Sequence, residues 1–266
     1  MTLKILWAAL AGAILPLAAQ AQIGAEAQGG KLTTWVALGL DKELSARWSS
    51  VTDVGIGRHS DPTGNLNPVK RTGLFVLTQD FIYRLSPHWR AAISGGYWRR
   101  DSYQEAPPYG AEQPNNYRDE LRPYARLYYE HPLGRVSLVN ALRTDYRFYF
   151  TPGFGERWPT PFEFRVRDMV TARFPLDQTG HRFLILSDEV LTATDAYNAD
   201  AARALGQHWS PYKLTENRTS VYYRRVVEIP HHRLDCDLGV MYQYWRETQK
   251  TAFNTSFNLM LDVIVR

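Results

Sequence analysis

Cysteine is nearly absent: Cys236 stands alone in 266 residues, so no internal disulfide framework holds the fold. Long apolar runs are scarce. Only the stretch from Ile5 to Ala19, interrupted by Gly12 and Pro16, is continuously hydrophobic, and it is shorter than the roughly 20 residues that span a bilayer as a helix. An excess of one charge is lacking as well. Lys and Arg number 31 against 27 Asp and Glu, a formal +4, which gives no reason to expect a nucleic-acid partner. Glycine-rich phosphate loops are missing. The densest His and Asp cluster, His231-His232 with Asp235 and Asp237, has no recognised ligand spacing. No cofactor and no metal are therefore expected.

The first residues indicate a destination. Met1-Thr2-Leu3-Lys4 places one positive charge before the apolar run, which closes on the small–x–small sequence Ala19-Gln20-Ala21-Gln22. Charged start, apolar middle and small-residue exit make a secretory signal. Residues 1–21 are expected to be cleaved, leaving 22–266 as a single exported domain. No Cys adjoins the cut, so a lipid anchor is unsupported.

What fills the remainder is alternation with period two, the mark of strands with two unlike faces. Leu121, Ala125, Leu127 and Tyr129 alternate with Arg122, Tyr124, Arg126 and Tyr128. Leu138, Leu142, Tyr146 and Phe148 alternate with Arg143, Asp145, Arg147 and Tyr149. Phe162, Phe164, Val166 and Phe174 alternate with Glu163, Arg165, Arg167 and Arg173, and Leu234, Cys236 and Leu238 with Asp235, Asp237 and Gly239. A soluble sandwich would show water a random polar face. Here that face is rich in Arg with interspersed acids and Tyr, which fits a crowded barrel interior. Several strands reach 12 to 14 residues, well above the roughly 5 to 6 of soluble sheets.

Eleven strands can be read, near 31–40, 46–58, 73–85, 89–99, 120–130, 136–150, 162–174, 182–190, 217–229, 233–246 and 252–265. Because bacterial barrels usually have an even count, 10 to 12 are expected and 12 favoured, with Gln22–Gly30 as a place for a missed strand. Short connections alternate with longer ones at His59–Thr72, Arg100–Asn116, Thr151–Pro161 and Leu191–Leu214. That is the build of a closed antiparallel outer-membrane barrel, short turns toward the periplasm and long loops outside. Aromatics near strand ends (Trp35, Trp48, Tyr83, Trp89, Tyr97, Trp98, Tyr129, Phe148, Tyr244) suit interfacial girdles. In the last long loop Tyr197, Ala199–Leu205 and Trp209 suit a short helix.

Several segments carry a family likeness: Arg143-Thr144-Asp145-Tyr146-Arg147-Phe148, Phe164-Arg165-Val166-Arg167, Asp188-Glu189-Val190, Glu216-Asn217-Arg218 and Leu238-Gly239-Val240-Met241-Tyr242-Gln243. In order and spacing the chain resembles the bacterial domain-of-unknown-function family 2490, exported proteins expected to form outer-membrane barrels. Asp145 stands where that family more often carries Glu, and the chain closes on Val265-Arg266 without a terminal aromatic. The resemblance implies a fold and a location, and no activity.

Function is expected on the polar face. Arg122, Arg126, Arg143, Arg147, Arg165, Arg167, Arg173 and Arg224 share its parity with Asp145, and Glu120, Glu130, Glu163, Asp235 and Asp237 join them. Such Arg rows can pass small acidic solutes, because guanidinium groups bind carboxylate and phosphate through two N–H donors at once. A narrow anion-selective channel is the first expectation. The alternative is a non-conducting structural or surface-binding barrel filled by ion pairs, since a charge away from water needs a partner. A wall-borne lipid hydrolase would use Arg58-His59-Ser60-Asp61, though adjacent strand residues point to opposite faces. The expected partners are outer-membrane lipids and small anionic solutes.

Overall fold

A computed structural model describes residues 32–60, 67–103, 112–246 and 254–266. The expected signal segment, the extra strand looked for within Gln22–Gly30, and Asp61 lie outside them.

Twelve strands form one closed sheet: β1 (Leu32–Glu43), β2 (Trp48–His59), β3 (Arg71–Arg84), β4 (Trp89–Tyr103), β5 (Glu112–Leu121), β6 (Tyr124–Leu133), β7 (Val136–Phe150), β8 (Arg157–Pro175), β9 (Arg182–Ala196), β10 (Lys213–Ile229), β11 (His232–Trp245) and β12 (Asn254–Val265). Apart from β5 and β6, consecutive strands pair with one another, and β1 closes on β12. The strands β5 and β6 share one place in the wall. Both pair with β4 on one side and β7 on the other, and only Arg122-Pro123 parts them. Pro123 has no N–H to give the ladder, but its carbonyl accepts the Tyr146 N–H at 3.0 Å.

The eleven strands read from the sequence thus correspond one to one with eleven wall positions, and the favoured count of twelve holds for the strands themselves. An odd number of positions has a geometric consequence. A chain running alternately up and down brings its first and last positions together in the same direction. The β1–β12 joint is accordingly parallel, from Leu32↔Phe257 to Leu40↔Val265, while every other pairing is antiparallel. Among the described residues two polar side-chain contacts cross this seam: Trp35 Nε1 donates to Asp262 Oδ1 at 3.1 Å, and Arg266 pairs with Asp41.

Connections at one rim are 4, 4, 2, 6 and 2 residues long; at the other they are 11, 8, 6, 16 and 8. The tightest turns use positive φ at Gly134 (60°) and His231 (66°), where Gly is indifferent and His is tolerated. Several strands outrun their expected ends at the long-loop rim: β8 begins at Arg157 and β9 continues to Ala196. Pro159 and Pro161 made that part of β8 read as loop, yet Pro159 keeps its carbonyl in use, accepting the Asn198 N–H at 3.0 Å. The helix expected in the β9–β10 loop is present as α1 (Ala199–Leu205). Trp209, beyond it, packs edge-on against Phe162 at 5.9 Å.

The two faces separate cleanly. Outward positions expose Val36, Leu38, Ile56, Phe81, Ile93, Leu127, Leu142, Val221, Leu238 and Leu261 around the whole circumference. Trp48 packs on Tyr83 (4.9 Å) and Trp89 on Tyr129 (4.5 Å) at the short-turn rim. Tyr97 on Phe154 (5.7 Å) and Phe148 on Phe162 (5.1 Å) do the same at the other. Trp35 and Trp98, grouped with the girdles on sequence position, instead turn inward and are buried; parity, not position along the strand, decides their side.

Inside, Trp35, Leu74, Trp98, Ile185, Tyr222 and Met260 belong to one buried cluster drawn from strands on opposite sides of the ring, so it crosses the lumen. Its density depends on glycines. A Cβ on Gly55 would stand 2.2 Å from the Trp35 ring, whereas one on Gly95 would meet nothing within 4 Å. Gly55→Val should lower stability by about 1–3 kcal/mol, the usual cost of overpacking, and Gly95→Val should stay within about 0.5 kcal/mol. Urea unfolding of both variants in micelles tests this, and an equal effect at the two sites would contradict it.

Candidate functional site: a charge-paired lumen

Alternation places residues i and i+2 of a strand on one face, so an acid two residues from an Arg can pair within its own strand. This barrel does so repeatedly. Glu120 accepts from Arg122 at 2.5 Å, Asp145 from Arg143 at 2.5 Å, Glu163 from Arg165 at 2.9 Å, and Glu216 from Arg218. Contacts between strands then link these units. Arg147 joins Glu120 (2.7 Å) to Glu163 (2.5 Å), and Arg165 reaches Glu216 at 3.3 Å. Arg218 reaches Glu189 at 3.1 Å, while Arg167 joins Glu189 (3.4 Å) to Asp145 (2.7 Å).

The outcome is an unbroken alternating chain: Arg122, Glu120, Arg147, Glu163, Arg165, Glu216, Arg218, Glu189, Arg167, Asp145, Arg143. It runs from Arg122, just after β5, over β5, β7, β8, β9 and β10, in the half of the lumen nearer the long loops. No side chain in it is more than 10 % exposed, and Asp145 is at 0 %. Gln243 adds a donor to Glu216 at 2.5 Å.

Two smaller groups lie elsewhere in the interior. Arg224 pairs with Asp237 (2.5 Å) and Asp235 (3.1 Å), and Asp235 also takes Arg233 and Arg266. Arg126 lies 3.6 Å from Asp80 and donates to the Tyr128 hydroxyl at 2.6 Å, while the Tyr124 hydroxyl donates to Asp80. Aromatic faces cover the cations: the Arg143 guanidinium sits 3.6 Å from the Tyr124 ring centroid and that of Arg122 4.0 Å from Trp98. Such stacking suits a weakly hydrated planar cation.

The structure therefore brings together Arg122, Arg143, Asp145, Arg147, Arg165 and Arg167 in one chain and puts Arg126 and Arg224 in separate groups. Arg173 stays apart, 5.8 Å from the Phe183 ring, with no carboxylate partner among the described residues. Sequence reasoning passed over Glu189, Glu216, Arg218 and Asp80 as lumen residues. The spacing Glu216-Asn217-Arg218 carried the signal for two of them, being the same acid–x–Arg unit as Glu120–Arg122. Around the hydrolase candidate, His59 Nδ1 lies 2.9 Å from the Ser60 carbonyl oxygen, and the Ser60 hydroxyl accepts the Leu32 N–H at 3.4 Å. Nucleophile and base are not joined there.

The family profile described as a protein of unknown function (DUF2490) matches residues 32–254. The chain belongs to this family. No curated protein and no solved structure matches it. Two segments that carry the DUF2490 likeness meet across β9 and β10, where Glu189 stands opposite Arg218 and Val190 opposite Asn217. On the inner face Glu189 pairs with Arg218; on the outer face Asn217 Nδ2 and the Thr219 hydroxyl donate to Asp188 at 3.1 and 2.8 Å. The motif thus stitches both sides of the same joint.

Removing one member of a buried ion group leaves charge unpaired and costs about 3–5 kcal/mol, against about 0–1 for an exposed pair. Asp145→Ala, which abandons both Arg143 and Arg167, should show the large loss in urea unfolding. Asp200→Ala should show almost none, since the Asp200–Arg203 pair of α1 is 90 % and 81 % exposed. Comparable losses would refute the structural role of the charge chain.

Proposed function

We propose that this DUF2490 protein is a non-conducting outer-membrane β-barrel, exported by residues 1–21, whose lumen serves as its core and whose interactions take place at its rims. The filled lumen carries this reading. A channel for acidic solutes needs guanidinium groups able to exchange one anion for the next. Here Arg122, Arg143, Arg147, Arg165, Arg167 and Arg218 are held by enclosed carboxylates, and a layer containing Trp35, Trp98 and Tyr222 crosses the bore. The anion-selective channel, the first expectation from sequence, has less support than its alternative.

Membrane insertion is supported by the outer surface. Apolar side chains encircle it, closure leaves no unpaired sheet edge, which hydrocarbon would not tolerate, and aromatic contacts mark both rims. Along β4, Trp89 and Tyr97 are eight residues apart, which at strand rise and a barrel's tilt is ~20 Å of height, near the apolar band of such barrels. The short-turn rim then faces the periplasm, lipids cover the belt, and no residue is assigned a catalytic role.

Planar-bilayer recordings test the central claim. Protein shown to be folded by its heat-modifiable mobility should give no steady unitary current, and a stable anion-selective conductance would overturn the reading. The lipid-facing wall has its own test at Ile93, midway between Trp89 and Tyr97 and 75 % exposed. Ile93→Arg should cost about 2–4 kcal/mol of folding free energy in phosphocholine vesicles, the penalty of a cation at the midplane. In a water-facing wall the same change would be nearly silent.

A further inference from the structure

Several basic residues that no carboxylate pairs with line the short-turn mouth. A cavity of about 500 Å³ opens there, lined in part by Lys42, Arg47, Arg84, Arg90 and Arg266 with Asp41 and Glu43. Arg266 is bound to Asp41 and Asp235, so those charges cancel locally. The remaining lining sets Lys42, Arg47, Arg84 and Arg90 against Glu43 alone. Among the described residues none of these four has an acidic partner.

Arg84 and Arg90 are directly opposite one another on β3 and β4, and both have the inward parity of Ile82 and Ala92. Like charges facing each other across a pair destabilise it, and with no acid between them the repulsion stands. Arg47 adjoins them: its carbonyl accepts the Arg84 N–H at 2.8 Å, and its guanidinium donates to the Tyr83 hydroxyl at 3.1 Å. Arg90 is steadied by the Tyr128 ring, 4.9 Å from its centroid. Arg84 and Arg90 thereby bring two guanidinium groups to one rim of a water-accessible hollow, with Arg47, held by Tyr83, lining its edge.

We propose that this mouth is a binding seat for a phosphate-bearing anion, clamped between Arg84 and Arg90 with Arg47 and Lys42 at its edge. Planar guanidinium groups meet phosphate oxygens through paired hydrogen bonds, and a bound dianion turns the Arg84–Arg90 repulsion into attraction on both sides. The phosphate comes from a soluble metabolite or from the headgroup of an anionic lipid, whose leaflet surface the rim adjoins. The proposal rests on the rim alone. Its failure leaves the closed lumen standing, and a conducting lumen would leave the seat in place.

The test is calorimetric titration of pyrophosphate into the full refolded chain in non-ionic detergent at low salt. One saturable site is expected, weakened at least about tenfold by Arg84→Ala with Arg90→Ala, partly kept by the double Arg→Lys variant, and unaffected by Arg203→Ala on α1. If the double alanine variant does not refold, Arg84→Gln and Arg90→Gln singly should each weaken binding. Absence of saturable binding, or equal affinity in the folded variants, overturns the seat. The source is read from nanodiscs: pyrophosphate binding in phosphatidylcholine that vanishes with phosphatidylglycerol identifies a lipid headgroup, and binding equal in both identifies a soluble anion.

Discussion

Charge neutrality in a narrow, enclosed space governs the interior of this barrel. Asp145 has no exposed surface and accepts from two guanidinium groups. Each of those cations is enclosed too and needs acids of its own, as Arg167 finds in Glu189. The requirement passes from strand to strand until eleven charges are joined. Register follows from it. Because side chains alternate, a slip of one residue between two strands would carry a whole set of charges to the apolar outer face. The ion chain and the outer belt of Val36, Leu38, Ile93 and Leu142 therefore enforce the same alignment from opposite sides. Such chains hold a fold to one arrangement more surely than they add net stability, since the desolvation of each ion offsets much of the attraction.

Much of this is legible in the sequence, because one rule reaches far. Period-two alternation named the strands, their faces, and the inward arginines from Arg122 to Arg224. It did not reveal which acid meets which cation across strands, since that depends on register: Arg165 finds Glu216 two wall positions away. Nor could it decide between an anion path and a packed core. That choice rests on what spans the bore, and Trp35, Trp98 and Tyr222 lie far apart in sequence. Prolines misled twice. Pro159 and Pro161 hid the start of β8, and Pro123 divided a wall position that reads as a single strand. The parallel seam was missed because a preference for even counts outweighed the eleven strands in view.

Local polar pairing also explains why one family segment has two jobs. In Asp188-Glu189-Val190 the inner carboxylate enters the ion chain, while the outer one is capped by Asn217 and Thr219. A charge on an apolar exterior is costly unless hydrogen-bonded, and here the partners sit on the adjacent strand. The joint between β9 and β10 is thus secured on both faces.

The seam between β1 and β12 has a consequence in time. Apart from the contacts of β4 with β6 and of β5 with β7, every other joint connects strands that follow one another in the chain, so it can zip as a hairpin soon after its residues are available. The seam must bring together partners such as Arg266 and Asp41, 225 residues apart, and Trp35 and Asp262, 227 apart. Contacts of such separation bear the largest loop-closure entropy and form slowly. Ring closure is then the last event of assembly, and until it happens the chain is an open curved sheet with two unsatisfied edges. The two side-chain links across the seam act as latches on that final step.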